Sequence, residues 1–168
     1  MLSRLFQANR RVVLLAFALF CFGSVGLAVL LGYLFDLEAC SMCWFQRLGF
    51  LLAGSGFLLA AAWPPGAILT QRLGELGLLA GFASAARQSW LLIHPEQASG
   101  SCGAGLRYYL QIGNYEAFFK AGLVGGVECS ENQPLFLGLQ LPQWSLLAFC
   151  VIGLVYLTWL IGRRGAAR

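Results

Sequence analysis

The chain has 168 residues, of which 59% are hydrophobic and 11% charged, and its net charge is +4. A soluble domain carries about 25% charge, so the composition excludes an ordinary soluble fold and points to a polytopic membrane protein. The positive charge forms no basic stripe interleaved with aromatics, which argues against a nucleic-acid partner. Six cysteines are too few for a disulfide-scaffolded domain of this length.

Basic residues precede an uncharged run of 24 residues, Val12 to Phe35. A signal-peptide core is shorter, about 7–15 residues, and ends in a small-x-small site with polar flanks, so this run reads as a retained first span. At ~1.5 Å per residue it would reach ~36 Å, enough to cross a ~30 Å hydrocarbon core with tilt. Asp36-Leu37-Glu38 then lead into Cys40-Ser41-Met42-Cys43, with Arg47 four residues on. Span two is expected over 43–63, ending at Pro64-Pro65-Gly66, through which no helix continues.

Gln71-Arg72 is expected in the next short loop, and span three over 73–93, with Glu75 near its start and Arg87 inside it. Gly77 and Gly81 lie four apart, where a neighbouring backbone can come close. From 94 to 143 charge, prolines, glycines and two more cysteines return, giving one long loop. Inside it Leu106, Tyr109 and Leu110, then Tyr115, Phe118 and Phe119, recur at helical spacing around Gly113-Asn114. Two short helices lying on the bilayer surface fit this pattern, as does a loop packed back on its own spans. Span four is expected over 144–162, closed by Arg163-Arg164, and Trp63 and Trp144 fit the aromatic belt at span ends. The whole of 1–168 reads as one domain, an all-α four-span bundle with a short first outer loop (36–42) and a long second one (94–143).

Four spans place both termini on one side. Arg4, Arg10, Arg11, Arg72, Arg163, Arg164 and Arg168 fall there against the single acid Glu75. The opposite side receives Asp36, Glu38, Glu96, Glu116, Glu128 and Glu131, with Arg107 and Lys120. The positive-inside rule makes the first side cytoplasmic. Cys40, Cys43, Cys102 and Cys129 then share the outer side, where disulfides persist.

Two outer loops with two cysteines each suggest two dithiol/disulfide pairs, Cys40–Cys43 and Cys102–Cys129, one able to oxidise the other through a mixed disulfide. Four cysteines allow three connectivities, and a Cys102–Cys129 bridge that merely staples its loop is the plainer alternative. Cys43 falls at the start of span two, where the helix dipole favours a thiolate. Arg47, one turn on, can stabilise that thiolate or an anion on a bound acceptor, or else reach headgroup phosphates. The chain has no Rossmann fingerprint, haem-attachment motif or metal cluster, so by elimination a lipid-soluble acceptor such as a quinone would take the electrons. Arg87 lies close enough in depth to share such a pocket, or to snorkel. Cys21 and Cys150, inside spans one and four, read as small hydrophobes, and His94 as an interfacial residue.

The chain resembles the disulfide bond formation protein B (DsbB) family, four-span bacterial inner-membrane quinone reductases. The resemblance covers nearly the whole chain. It rests on Cys40-Ser41-Met42-Cys43 with Arg47, Arg87-Gln88, Cys102, Gly126-Val127-Glu128-Cys129, and Phe136-Leu137-Gly138-Leu139-Gln140-Leu141-Pro142-Gln143-Trp144. It implies that a periplasmic thioredoxin-fold oxidant of the DsbA type is reoxidised by Cys102–Cys129, with Cys102 forming the mixed disulfide. Cys40–Cys43 would restore that pair through an interloop bridge. Cys43 would then pass electrons to ubiquinone, or to menaquinone without oxygen, beside Arg47. DsbA is itself a strong oxidant at about −120 mV, so the quinone must supply the downhill end. Two features depart from the familiar pattern: the short segment between Arg87 and Cys102, and the extra Cys21 and Cys150. Two other classes compete: a vitamin-K-epoxide-reductase-like enzyme, against which Pro142-Gln143-Trp144 argues, and a non-enzymatic thiolate metal-binding protein, which would need acidic residues in the spans.

Overall fold

The computed structural model describes residues 10–36, 39–98, 111–125, 129 and 135–166. Cys102, the first of the two expected loop helices, and Arg107, Glu128 and Glu131 lie outside the described residues. Four long helices form the bundle: α1 (Arg10–Leu34), α2 (Ser41–Ala62), α3 (Ala67–Ile93) and, after the loop, α5 (Leu141–Ala166). All four are long and apolar enough to cross a membrane. A short helix α4 (Tyr115–Val124) lies in the loop, and a small hairpin, β1 (Leu135–Phe136) with antiparallel β2 (Leu139–Gln140), leads into α5.

The expected spans are all present, but α3 begins earlier than its apolar run. After Trp63, Pro64–Gly66 make a single 3-10 turn, and the helix restarts at Ala67. Gln71 and Arg72, expected in a loop, are therefore in α3. Nothing after Gly66 breaks a helix, and both side chains find partners there. Arg72 pairs with Glu75 at 2.6 Å. Gln71 Nε2 donates to Tyr156 Oη, which donates to Glu75 Oε1, both at 2.6 Å, and Arg10 Nη2 donates to Gln71 Oε1 at 2.8 Å. This network links α1, α3 and α5 at one end of the bundle.

Helices α2 and α3 pack most closely. With no hydrophobic drive between helices in lipid, close association relies on small residues that let backbones touch. A Cβ on Gly49 would lie 2.7 Å from Gly81 Cα, and one on Gly77 would lie 2.6 Å from Ala53 N. The expected close approach at Gly77 and Gly81 thus has its partner, the Gly49–Ala53 stretch of α2. Elsewhere the core is aromatic: Phe17 meets Tyr156 edge-on at 5.3 Å, and Phe50 stacks on Phe149 at 3.8 Å. The outer faces carry exposed Leu15, Leu19, Leu27, Leu30, Leu154 and Leu157, as a lipid-facing surface requires.

Helix α4 begins where the Gly113-Asn114 break was expected. Gly113 takes a positive φ of 68°, and Asn114 Oδ1 accepts from the Ala117 N–H at 3.1 Å as an N-cap. One face of α4 returns to the bundle through Phe119, whose ring meets Phe45 of α2 at 6.2 Å. Tyr115 and Leu123 stay exposed.

Candidate functional site: three cysteines over an apolar cavity

The site begins at a turn. After α1, Asp36 adopts φ 51°, a left-handed conformation that Asp tolerates better than most residues. Cys40 then takes an extended conformation (φ −61°, ψ 168°) and acts as N-cap of α2, its sulfur accepting from the Cys43 N–H at 3.3 Å. A Cys-x-x-Cys pair that starts a helix thus puts both sulfurs at the positive end of the macrodipole. The Cys40 and Cys43 sulfurs are 2.7 Å apart. Cys40 is buried and Cys43 half-buried.

Cys129 joins them from the long loop. It is buried with Cys40, Met42 and Leu91 in a small cluster of its own, and its sulfur lies 3.4 Å from Ser41 Oγ. The chain reaches this place through Gly125, whose φ is +82°. A side chain there would be strained, and its Cβ would stand 2.6 Å from Leu91 Cδ1 and 2.8 Å from Met42 Sδ. The hydrogen bond with Cys129, the one with Cys43 and burial, in that order, push the Cys40 thiol well above its ordinary range.

An apolar cavity of about 530 Å³ opens beside the pair. Its walls include Phe20, Leu27 and Leu31 of α1, Cys43, Gln46, Arg47 and Phe50 of α2, and Pro142, Trp144 and Ala148 of α5. Leu137, at its rim, and Gly138 form the two-residue turn between β1 and β2 with φ of 52° and 84°, as a type I′ hairpin requires. The α5 start is held by Gln143 Oε1, which accepts from the Gln140 N–H at 2.9 Å, as in a capping box. Cavities of this size and lining suit a flat, largely apolar ligand held by a few polar groups.

Arg47 is one of those polar groups. Its Nη2 donates to the Ala28 carbonyl at 3.3 Å, and its guanidinium lies 5.5 Å from the Trp44 ring centroid. Arg87 is not brought to the cavity. Its Nη2 reaches the Gln97 carbonyl at 3.5 Å, tying α3 to the turn that follows. The His94 ring lies 4.4 Å from that of Trp90, tilted by 35°, and 3.2 Å from Glu96, also away from the cavity. Trp144, at the start of the fourth span, also lines the cavity.

Sequence reasoning passed over two amides. Gln88 is 0% exposed, and its Nε2 donates to Cys40 Sγ at 3.1 Å and to Cys43 Sγ at 3.4 Å. Its Oε1 accepts from Gln46 Nε2 at 2.6 Å. A polar amide within an apolar span is the signal that was available, since such residues face the bundle interior.

Two sulfurs that share an amide, a third sulfur packed on the first, and an apolar cavity reaching the second are the marks of a membrane thiol–disulfide oxidoreductase. The comparisons with known proteins agree. The model of the family described as "Disulfide bond formation protein DsbB" matches residues 10–159. Among similar proteins, the disulfide bond formation protein B of Hahella chejuensis is 41% identical over 84% of this chain and 87% of its own length. Those of Methylobacillus flagellatus and Chromohalobacter salexigens are 37% and 35% identical, over 92% and 96% of this chain and 93% and 96% of their own. No solved structure matches significantly. The chain belongs to the DsbB family of bacterial membrane thiol oxidases. With four spanning helices, it is a multi-pass inner-membrane protein.

Proposed function

We propose that this chain reoxidises a periplasmic thioredoxin-fold dithiol protein of the DsbA type and delivers the electrons to membrane quinone, ubiquinone or anaerobically menaquinone. The termini would be cytoplasmic and the four redox cysteines periplasmic. One observation carries the reading: Cys43 belongs both to the sulfur cluster and to the cavity wall.

The partner's thiolate would attack Cys102 of a Cys102–Cys129 disulfide, forming a mixed disulfide and releasing Cys129 as thiolate. Cys129 would attack Cys40, forming a Cys40–Cys129 bond while the Cys40–Cys43 bond breaks and Cys43 leaves as thiolate. The partner's second thiolate would break the mixed disulfide, so that the partner leaves oxidised and Cys102 is released. Cys102 would attack Cys129, restoring Cys102–Cys129 and freeing Cys40, so that two electrons rest on the Cys40/Cys43 dithiol. The α2 N-terminus and the Gln88 amide would stabilise the departing charge on Cys43, and Arg47 would hold negative charge in the cavity. The apolar walls fit a prenylated ring and would keep water from it; a quinone bound there supplies an acceptor for two electrons and two protons. Arg87, which the sequence offered as a weaker ligand, would act on this pocket only from outside its walls.

The test follows quinone absorbance when purified protein meets quinone and a reduced thioredoxin-fold substrate. Turnover in wild type, lost in Cys43→Ala and Cys102→Ala, is expected. Undiminished turnover in either variant would overturn the relay.

A further inference from the structure

We infer that Gln88, oriented by Gln46, sets the redox poise of the Cys40–Cys43 pair. The inference rests on the thiol-oxidase reading and goes beyond it by assigning a function to a residue pair in the spans.

The geometry is specific. An amide has one donor side and one acceptor side, and in Gln88 both are committed. Gln46 Nε2 donates to Oε1 at 2.6 Å, so the NH2 group must face the other way. There it meets Cys40 at 3.1 Å and Cys43 at 3.4 Å. Gln88 is fully buried and Gln46 is 4% exposed, so water does not compete for these bonds. Gln46 comes from the same turn of α2 as Cys43 and Arg47 and also lines the cavity, whereas Gln88 comes from α3. The pair therefore couples the sulfurs to a second helix through the close α2–α3 packing.

N–H donors favour the charged form of the group they face. A thiolate accepts a hydrogen bond far better than a disulfide sulfur does. With Cys40 a thiol, donation to the Cys43 thiolate, from an amide that also fixes Cys40, stabilises the reduced pair over the disulfide and makes Cys40–Cys43 more oxidising. When Cys43 is protonated instead, Gln88 Oε1 lies 3.7 Å from its sulfur and can accept the S–H, so the amide serves either state. Reduction breaks the S–S bond with two electrons and gives a Cys43 thiolate and, with one proton, a Cys40 thiol, and the amide itself is unchanged.

The experiment equilibrates the full-length protein, without quinone, in dithiothreitol buffers of graded ratio. The Cys40–Cys43 peptide is then trapped by alkylation and read by mass spectrometry. Gln88→Met keeps the length of the side chain but removes the donor, and is expected to shift the equilibrium about tenfold toward the disulfide, equivalent to ~30 mV. Gln46→Met leaves Gln88 in place but free to turn its carbonyl to the sulfurs, and should shift it about threefold the same way. A purely structural role would lower thermal stability without moving either constant. Constants within twofold of wild type in both variants would overturn the inference, and so would a shift in Gln46→Met toward the dithiol if Gln88→Met does not fold. Loss of quinone turnover in wild type would overturn the functional reading instead, because the equilibrium is measured without quinone.

Discussion

Where α1 begins and α5 finishes, Arg10, Gln71, Tyr156, Glu75 and Arg72 form a chain of hydrogen bonds with an arginine at each end. At the other end, Gln46 and Gln88 also form a buried polar link between helices, but it ends on two sulfurs and borders a cavity. The first network uses its polar groups to hold three helices together. The second aims them at atoms that change charge and bonding. Both are hydrogen-bonded, the first partly buried with Arg72 exposed and the second fully buried, and polar bonding between helices alone does not mark a site. What separates them is the chemistry of the atoms on which each network ends.

Three substitutions would sharpen that contrast. The largest effect is expected from Gly49→Ala, between the two ends, where the new Cβ would lie 2.7 Å from Gly81 Cα. Overpacking of this kind costs about 1–3 kcal/mol, so thermal unfolding should shift clearly, and turnover should fall with it because Gln88 moves with α3. Arg47→Leu is next. It should raise the quinone KM about tenfold, or about 1.4 kcal/mol, with unfolding nearly unchanged; an unchanged KM would remove Arg47 from the pocket. Tyr156→Phe should be the smallest. Losing the hydroxyl that links Gln71 and Glu75 should cost about 0.6–1.7 kcal/mol, the range for interhelical hydrogen bonds in membranes, with turnover intact. A turnover defect in that variant would mean that the two ends are coupled after all.

The bundle was largely legible in the sequence because its signals are local. An uncharged run long enough to cross a bilayer, the Pro64-Pro65-Gly66 stop and the Gly77–Gly81 spacing each predict their own structure. The start of α3 was not legible. Gln71 looks like a loop residue until Tyr156 and Arg10, from distant parts of the chain, are seen to bond it, while Arg72 pairs with Glu75 within α3. The Cys-x-x-Cys pair and Arg47 were legible as neighbours on one helix. Gln88 is legible only as part of a motif, because its contact with the sulfurs depends on how α3 is rotated against α2. Trp144 stands at a span end as expected, but its place in the cavity wall was not legible, because a tryptophan there has the same composition signal whether it faces lipid headgroups or a cavity. Arg87 shows the limit of depth as an argument, since a residue at the right height can point away from the pocket.

The most direct test of the account asks whether Cys129 and Cys40 can exchange partners. Cys43→Ala removes the sulfur that would reopen the bridge, so Cys40 should attack Cys129 of the Cys102–Cys129 disulfide, release Cys102 as thiolate and stay bridged. Non-reducing mass spectrometry of that variant, purified from cells with oxidised partner present, should find Cys40 linked to Cys129. A variant in which Cys129 remains joined only to Cys102, with Cys40 as a free thiol, would contradict the placement of these sulfurs in one exchange unit.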